Sequence, residues 1–234
     1  MGLPKPYYEN NGITIYHGDC RDIIPLLDRV DATITDPPYG VQFSGKVAFS
    51  RGKTTVKRSD TYSSYKDTPE NIDLVVIPAV ILALGISKRA AITPGTRNCF
   101  KYPLPDDIGC FYSASGTGLS KWGFTCSQPI LFYGTCPFLN RGLGSRPNSC
   151  GQTWPNDANQ SGHPCAKPIA MIKWLVWRAS WEGETVLDPF MGSGSTLRVA
   201  KDLGRRAVGI EIEERYCEIA VKRLAQEVLS FSPG

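Results

Sequence analysis

The chain has 234 residues, 41% of them hydrophobic, with 26 Lys and Arg against 22 Asp and Glu for a formal net charge of +4. That length fits one well-buried domain and would cramp two, and the ordinary charged share argues against wholesale disorder. The longest apolar run, Leu74 to Ile86, is broken by Pro78 and Gly85 and falls short of the roughly 20 residues a membrane helix needs. The opening MGLPKPYYENNG has no secretory apolar core, and Pro6 stands where a lipidation motif needs Ser or Thr. A soluble cytoplasmic protein is expected. Eight cysteines form no C-x-x-C pair and there are only two histidines, His17 and His163, so neither a disulfide framework nor a metal site is expected.

In chain order, the pattern predicts a strand at Ile13–Tyr16, a helix near Arg21–Leu27 and a strand at Ala32–Thr35 that runs into Asp36-Pro37-Pro38-Tyr39. Residues 40 to 66 lack apolar periodicity and carry Lys46, Arg51, Lys53, Lys57, Arg58 and Lys66. A stretch of that length without regular structure usually marks a functional loop or a disordered one. A helix capped by Thr68 is expected from Pro69 to Leu84. Strand signals follow at Ala90–Thr93, Ile108–Tyr112 and Ile130–Tyr133, then a loop-like stretch from 134 to 165. The last part predicts a helix at Ile169–Ala179, a strand at Thr185–Leu187, a helix to Leu203, a strand at Ala207–Ile210 and an amphipathic helix from Glu213 to about Val228. Alternating strands and helices imply an α/β fold, a mainly parallel Rossmann-like sheet with helices on both faces, as a single domain over 1–234.

The most informative local pattern is a strand, a tight glycine turn, a helix, a second strand and then an acid. Gly192 and Gly194 allow a sharp turn and close approach of a ligand. Glu211 at the end of the next strand can accept hydrogen bonds from ribose hydroxyls. A dinucleotide site would want a third glycine where Leu197 stands, and only 23 residues follow Glu211, too few to complete such a fold downstream. Gly40 to Val47 misses the phosphate-loop pattern at its last residue, Val47, which has no hydroxyl for magnesium.

Asp36-Pro37-Pro38-Tyr39 ends a strand, where open α/β sheets place their ligands. Its carboxylate and the Pro37 carbonyl can accept the two hydrogens of one planar amine while Tyr39 stacks on the ring that bears it. An aromatic amine is a weak nucleophile because its lone pair is delocalised. Two acceptors favour the pyramidal form, and alignment with an activated methyl supplies much of the remaining rate.

Taken together, these residues resemble the circularly permuted, beta-order DNA amino-methyltransferases. Gly18-Asp19 with Ile23, Ile24 and Leu27 is similar to the segment before the family's catalytic turn. Asp36 to Tyr39 matches that turn, His163-Pro164-Cys165-Ala166-Lys167-Pro168 resembles its His-Pro-x-x-Lys-Pro segment, and Asp188 to Thr196 resembles its cofactor loop. The resemblance implies S-adenosyl-L-methionine as cofactor, held by Asp19, Lys167, Asp188, Pro189, Phe190, Gly192, Ser193, Gly194, Ser195 and Glu211. It implies Asp36, Pro37, Pro38 and Tyr39 as the catalytic set and methylation of adenine N6 in double-stranded DNA, with cytosine N4 as the alternative. A DNA-binding protein that has lost catalysis is the alternative from another class. A prokaryotic or phage source, a partner restriction nuclease, and a monomer or homodimer are all compatible with the resemblance.

The target base must leave the duplex to reach such a pocket. Lys46, Arg51, Lys53, Lys57 and Arg58, interleaved with Phe43, Phe49, Tyr62 and Tyr65, are the phosphate-contacting candidates in the 40–66 loop. Arg141 and Arg146, with Asn148 and Gln152, are the candidates for reading base edges from a short recognition segment at 134–162.

Overall fold

The structure is a computed structural model and describes residues 2–41, 64–113, 118–152 and 168–226. Its strands, in chain order, are β1 (Tyr8–Asn10), β2 (Ile13–His17), β3 (Val30–Thr35), β4 (Ser87–Ile92), β5 (Asp107–Ser113), β6 (Gly118–Ser120), β7 (Gly123–Thr125), β8 (Ser127–Gly134), β9 (Cys150–Gln152), β10 (Thr185–Asp188) and β11 (Arg206–Glu211). Nine of them form one sheet in the order β1-β2-β11-β10-β3-β4-β8-β5-β9, and β6 and β7 pair separately. The five strands from β2 to β4 in that order are mutually parallel, and β8 runs antiparallel to both β4 and β5. The two last strands in the chain therefore lie in the middle of the sheet, between β2 and β3.

The central strands read as nearly continuous small or branched apolar residues because both faces are covered. Ile13, Ile15, Ala32, Ile34, Val186 and Ala207 pack with Met171, Leu175 and Val176 of the Ile169–Ala179 helix and with Leu197 and Ala200 of the Ser195–Asp202 helix. Tyr16, Leu187 and Ile210 face the other way, toward Ile23, Ile24, Ala79 and Ala83. The expected arrangement of helices on both faces is thus present.

Several boundaries differ from the sequence reading. The first helix is a single turn, Cys20–Ile23, which passes into a 3₁₀ turn at Ile24–Leu26 where Pro25 interrupts it. The Pro69–Ile86 helix starts at the expected Thr68 cap, whose hydroxyl accepts the Asn71 amide, but widens to a π turn at Ile72–Val76. Pro78 explains this: it has no N–H to offer the Leu74 carbonyl and its ring crowds that turn. The freed Leu74 carbonyl instead accepts Arg21 Nη1 at 3.2 Å. With 18 residues and a mean hydropathy of 1.8, this helix is apolar and long enough to cross a membrane by length and composition, more than the interrupted sequence suggested. Here Ile72, Val76, Ala79, Val80 and Ala83 are buried against the sheet. β1 and β9, and the β6–β7 pair, were not foreseen; each has only three residues, too few to show a period.

The amino ends of the parallel strands are tied by an ionic cluster. Arg89, on β4, meets Glu184 at 2.7 Å, and Arg141 reaches the same carboxylate at 3.1 Å. Burial pushes the Glu184 carboxyl up, but the Arg89 guanidinium, the Trp181 amide and Arg141 more than offset this and hold it below its ordinary 4.5. A carboxyl held low stabilises the fold above its unfolded pKa, and that contribution is lost as the pH falls through the folded value. Glu184→Ala, which strands the buried Arg89, should lower stability by about 3 kcal/mol at pH 7. The urea midpoint should fall at unchanged slope, and the gap from the parent should narrow once the pH drops below 4.5.

Candidate active site

Each candidate turn leaves the carboxyl end of a central parallel strand. Asp36 follows β3, Asp188 ends β10 and Glu211 ends β11. Because β3, β10 and β11 are neighbours, three carboxylates from distant parts of the chain converge. Together with Asp19, Tyr39, Tyr65, Asp67 and the 189–196 turn they line one open cleft.

Asp188 is the deepest of them. Its Oδ1 accepts the Thr35 hydroxyl at 2.7 Å and the Phe190 amide at 3.2 Å. Burial pushes its carboxyl up to about 6 despite those donors. Glu211 accepts the amides of Gly192 and Glu213, each at 2.9 Å, and burial pushes it up to about 7. The Gly192 contact closes the turn onto the acid that follows it by nineteen residues. Gly194, at φ +74°, stands where an added Cβ would lie 2.7 Å from the Ala220 side chain. Both the backbone angle and the space there demand glycine.

Around the catalytic turn, the Asp36 carboxylate accepts hydroxyl donors from Tyr39 and Thr93, the latter at 2.5 Å. The exit of the turn is held by Asp67, which accepts the Gly40 amide at 2.6 Å and the Val41 amide at 3.3 Å. Glu213, buried beside Glu211, accepts the Ser64 amide. Thr35, Thr93, Asp67 and Glu213 were not singled out from the sequence. Their partners lie 26 to 153 residues away, and no local pattern announces such pairs.

Asp19 borders the cleft but is paired with Arg21 at 2.5 Å, which holds its carboxyl below the ordinary value. Pro37, Pro38, Pro189, Phe190, Gly192, Ser193 and Ser195 all line the cleft, while Gly194 lies behind them against Ala220. Lys167 and the His163 segment fall outside the described residues, as do Lys46, Arg51, Lys53, Lys57 and Arg58.

Arg141 and Arg146 are a correction. β8 runs antiparallel to β4, with Gly134 opposite Arg89, so the 134–148 segment emerges at the amino ends of the parallel strands, away from Asp36. Arg141 binds Glu184 and lies 4.7 Å above the Trp181 ring, and Arg146 lies 5.3 Å above Phe138. Buried Arg178 fastens this segment through the carbonyls of Pro147 and Arg146. These arginines hold a loop in place at the wrong edge of the sheet to meet a base entering the cleft.

No Lys or Arg lines the cleft among the described residues, against five acids: Asp19, Asp36, Asp67, Asp188 and Glu211. Such a surface repels a pyrophosphate and attracts a cation. This set of acceptors among the described residues therefore suits a ligand with ribose hydroxyls and a positive centre, as S-adenosylmethionine has.

Comparison with known proteins gives the same direction. The profile of the N6/N4 DNA methylase family matches residues 139–222. The type II methyltransferase M.ScaI of Streptomyces caespitosus is 26% identical over 97% of this chain and 86% of its own. The type II methyltransferase M2.DpnII of Streptococcus pneumoniae is 28% identical over 96% and 94%. Among solved structures, the M1.HpyAVI–SAM complex has the same fold, with a TM-score of 0.66 at 20% identity, covering 92% of this chain and all of that one. With relatives aligned nearly from end to end and the family profile lying across the cofactor turn, the chain is similar to the DNA amino-methyltransferases, and these likenesses support an S-adenosylmethionine-dependent DNA methyltransferase.

Proposed function

We propose that this enzyme methylates the N6 amine of adenine in a base extruded from double-stranded DNA, and that the acidic cleft holds both reactants. The observation that carries the reading is the hydrogen bond from Thr35 to Asp188. It couples the residue next to Asp36 to the first residue of the glycine turn. In this reading Glu211 takes the ribose hydroxyls, and Asp19, Asp188, Pro189, Phe190, Gly192, Ser193, Gly194 and Ser195 form the rest of the cofactor site, with Lys167. When bound, S-adenosylmethionine supplies a methyl already activated on sulfur.

Asp36 and the Pro37 carbonyl accept the two amine hydrogens, and Tyr39 stacks on the base. Once held in the cleft, S-adenosylmethionine would supply the methyl to that amine, and the Asp36 carboxylate or water would take the surplus amine proton. Adenine is preferred because a purine offers Tyr39 the larger stacking partner and because an Asp-first turn resembles the adenine enzymes. DNA backbone contact is assigned to Lys46, Arg51, Lys53, Lys57 and Arg58, since the described ends of their loop, Val41 and Tyr65, border the cleft. The enzyme is read as cytoplasmic and prokaryotic or phage-encoded, with DNA as its substrate partner.

The reading is tested by methylating unmodified DNA, digesting it to nucleosides and resolving them by mass spectrometry. N6-methyladenine is expected. N4-methylcytosine as the main product would overturn the adenine assignment alone, and 5-methylcytosine would overturn the mechanism as well. Asp36→Ala should abolish turnover while leaving cofactor affinity measured by calorimetry nearly unchanged, and a collapse of that affinity would contradict the division of roles.

A pH prediction follows from Glu211. Its acceptor role requires the ionised carboxylate, and burial has raised it to about 7. Cofactor affinity should be full above pH 7 and fall by up to about tenfold per unit as the pH drops below it. Glu211→Gln should weaken binding by roughly 1.5–3 kcal/mol at pH 8 and flatten that dependence. Titrations at several pH values that give one constant affinity would remove Glu211 from the ribose site.

A further inference from the structure

Three contacts from one short segment converge on the catalytic turn. The Thr93 hydroxyl donates to Asp36 Oδ1 at 2.5 Å and lies 3.4 Å from the Thr35 carbonyl. Gly95 supports the Tyr39 ring: a Cβ added there would lie 3.0 Å from Tyr39 Cδ1. Asn98 donates from its side-chain amide to the Tyr39 carbonyl at 2.8 Å. Thr93 and Asn98 are buried, at 1% and 7% exposure, so water does not compete for these bonds.

The segment owes its position to the sheet. β4 is the parallel neighbour of β3, with Thr35 opposite Ile92, so the residue after β4 emerges beside the residue after β3. The Thr93 amide continues the ladder to the Thr35 carbonyl at 3.1 Å.

We infer that Thr93–Asn98 is a positioning clamp for the catalytic turn, with Thr93 orienting the Asp36 carboxylate toward the amine. The inference rests on the proposed role of Asp36. A carboxylate on a two-bond side chain can rotate, and rotation would misalign its acceptor lone pairs from an N–H. The Thr93 hydroxyl engages Oδ1 and leaves Oδ2 in one orientation about the Cβ–Cγ bond. Tyr39 donates to the same Oδ1, but in the proposed function its ring also serves as the stacking surface for the base. Thr93 belongs to the sheet and keeps its place.

The role predicts a separation of kinetic effects. Orientation of an acceptor matters when the amine pyramidalises, so its loss lowers kcat rather than cofactor affinity. Thr93→Val keeps shape and removes the hydroxyl; Thr93→Ser keeps the hydroxyl and removes a methyl. Single-turnover transfer of labelled methyl to DNA should slow at least tenfold in Thr93→Val and stay within about threefold of the parent in Thr93→Ser, while calorimetric affinity for S-adenosylmethionine is unchanged in both. Parent-like turnover in Thr93→Val, or equal loss in both variants, would overturn the clamp, the second because it would report packing instead of the hydroxyl. Asp36→Asn measured alongside separates the two levels. If it is inactive while Thr93→Val is normal, only the clamp fails; if it retains parent activity, the Asp36 assignment itself falls.

Discussion

One hydrogen bond organises the chemistry of this fold, that from the Thr35 hydroxyl to the Asp188 carboxylate across neighbouring parallel strands. Asp188 is 3% exposed and has no cation beside it among the described residues, so its charge must be met by dipoles. Thr35 supplies one of them. Since Thr35 immediately precedes Asp36, satisfying the buried acid of one turn also fixes the functional acid of the other. The two residues are 153 positions apart in the chain, and only the insertion of β10 and β11 between β2 and β3 brings them together.

The same arrangement sets the electrostatics. Carboxylates at the ends of adjacent strands repel one another, and burial raises their proton affinity further. Burial raises Asp188 to about 6 and Glu211 to about 7, which makes Glu211 the readier of the two to take up a proton. A ligand that brings a positive centre and hydroxyl donors favours the ionised forms. A ligand bearing pyrophosphate would do the reverse. The preference for a sulfonium cofactor is thus written into the charge of the cleft as well as into its glycine turn.

How much of this was legible depended on how local each cause is. The Asp36–Tyr39 and Asp188–Thr196 turns were readable because proline and glycine act on their own backbone, and Glu211 because its strand follows at fixed spacing. Thr93, Asn98, Asp67 and Thr35 were not, since threonine, asparagine and aspartate are common and their roles come from pairings across the sheet. The π turn at Ile72–Val76 was hidden for a different reason. Pro78 does announce a disturbance, but whether a helix ends or widens there depends on the tertiary donor that takes the freed carbonyl, here Arg21.

The misplaced arginines show what residue type cannot supply. Arg141 and Arg146 have side chains suited to DNA, and so does any arginine; what decides is the edge of the sheet they occupy. β8 reverses direction relative to both β4 and β5, so the connection after β8 returns to the amino edge, where arginine serves the Glu184 cluster instead. A base entering the cleft approaches the opposite edge. The connections that leave that edge are those after β2, β3, β4, β10 and β11, the one between β5 and β8, and the one after β9. The β5–β8 ladder extends beyond β4, because Ile92 at the end of β4 is level with Leu131 while the pairing with β5 continues to Ser127. On the proposed function, a duplex that offers a base to the cleft approaches it from this edge and not from the amino edge held by the Glu184 cluster.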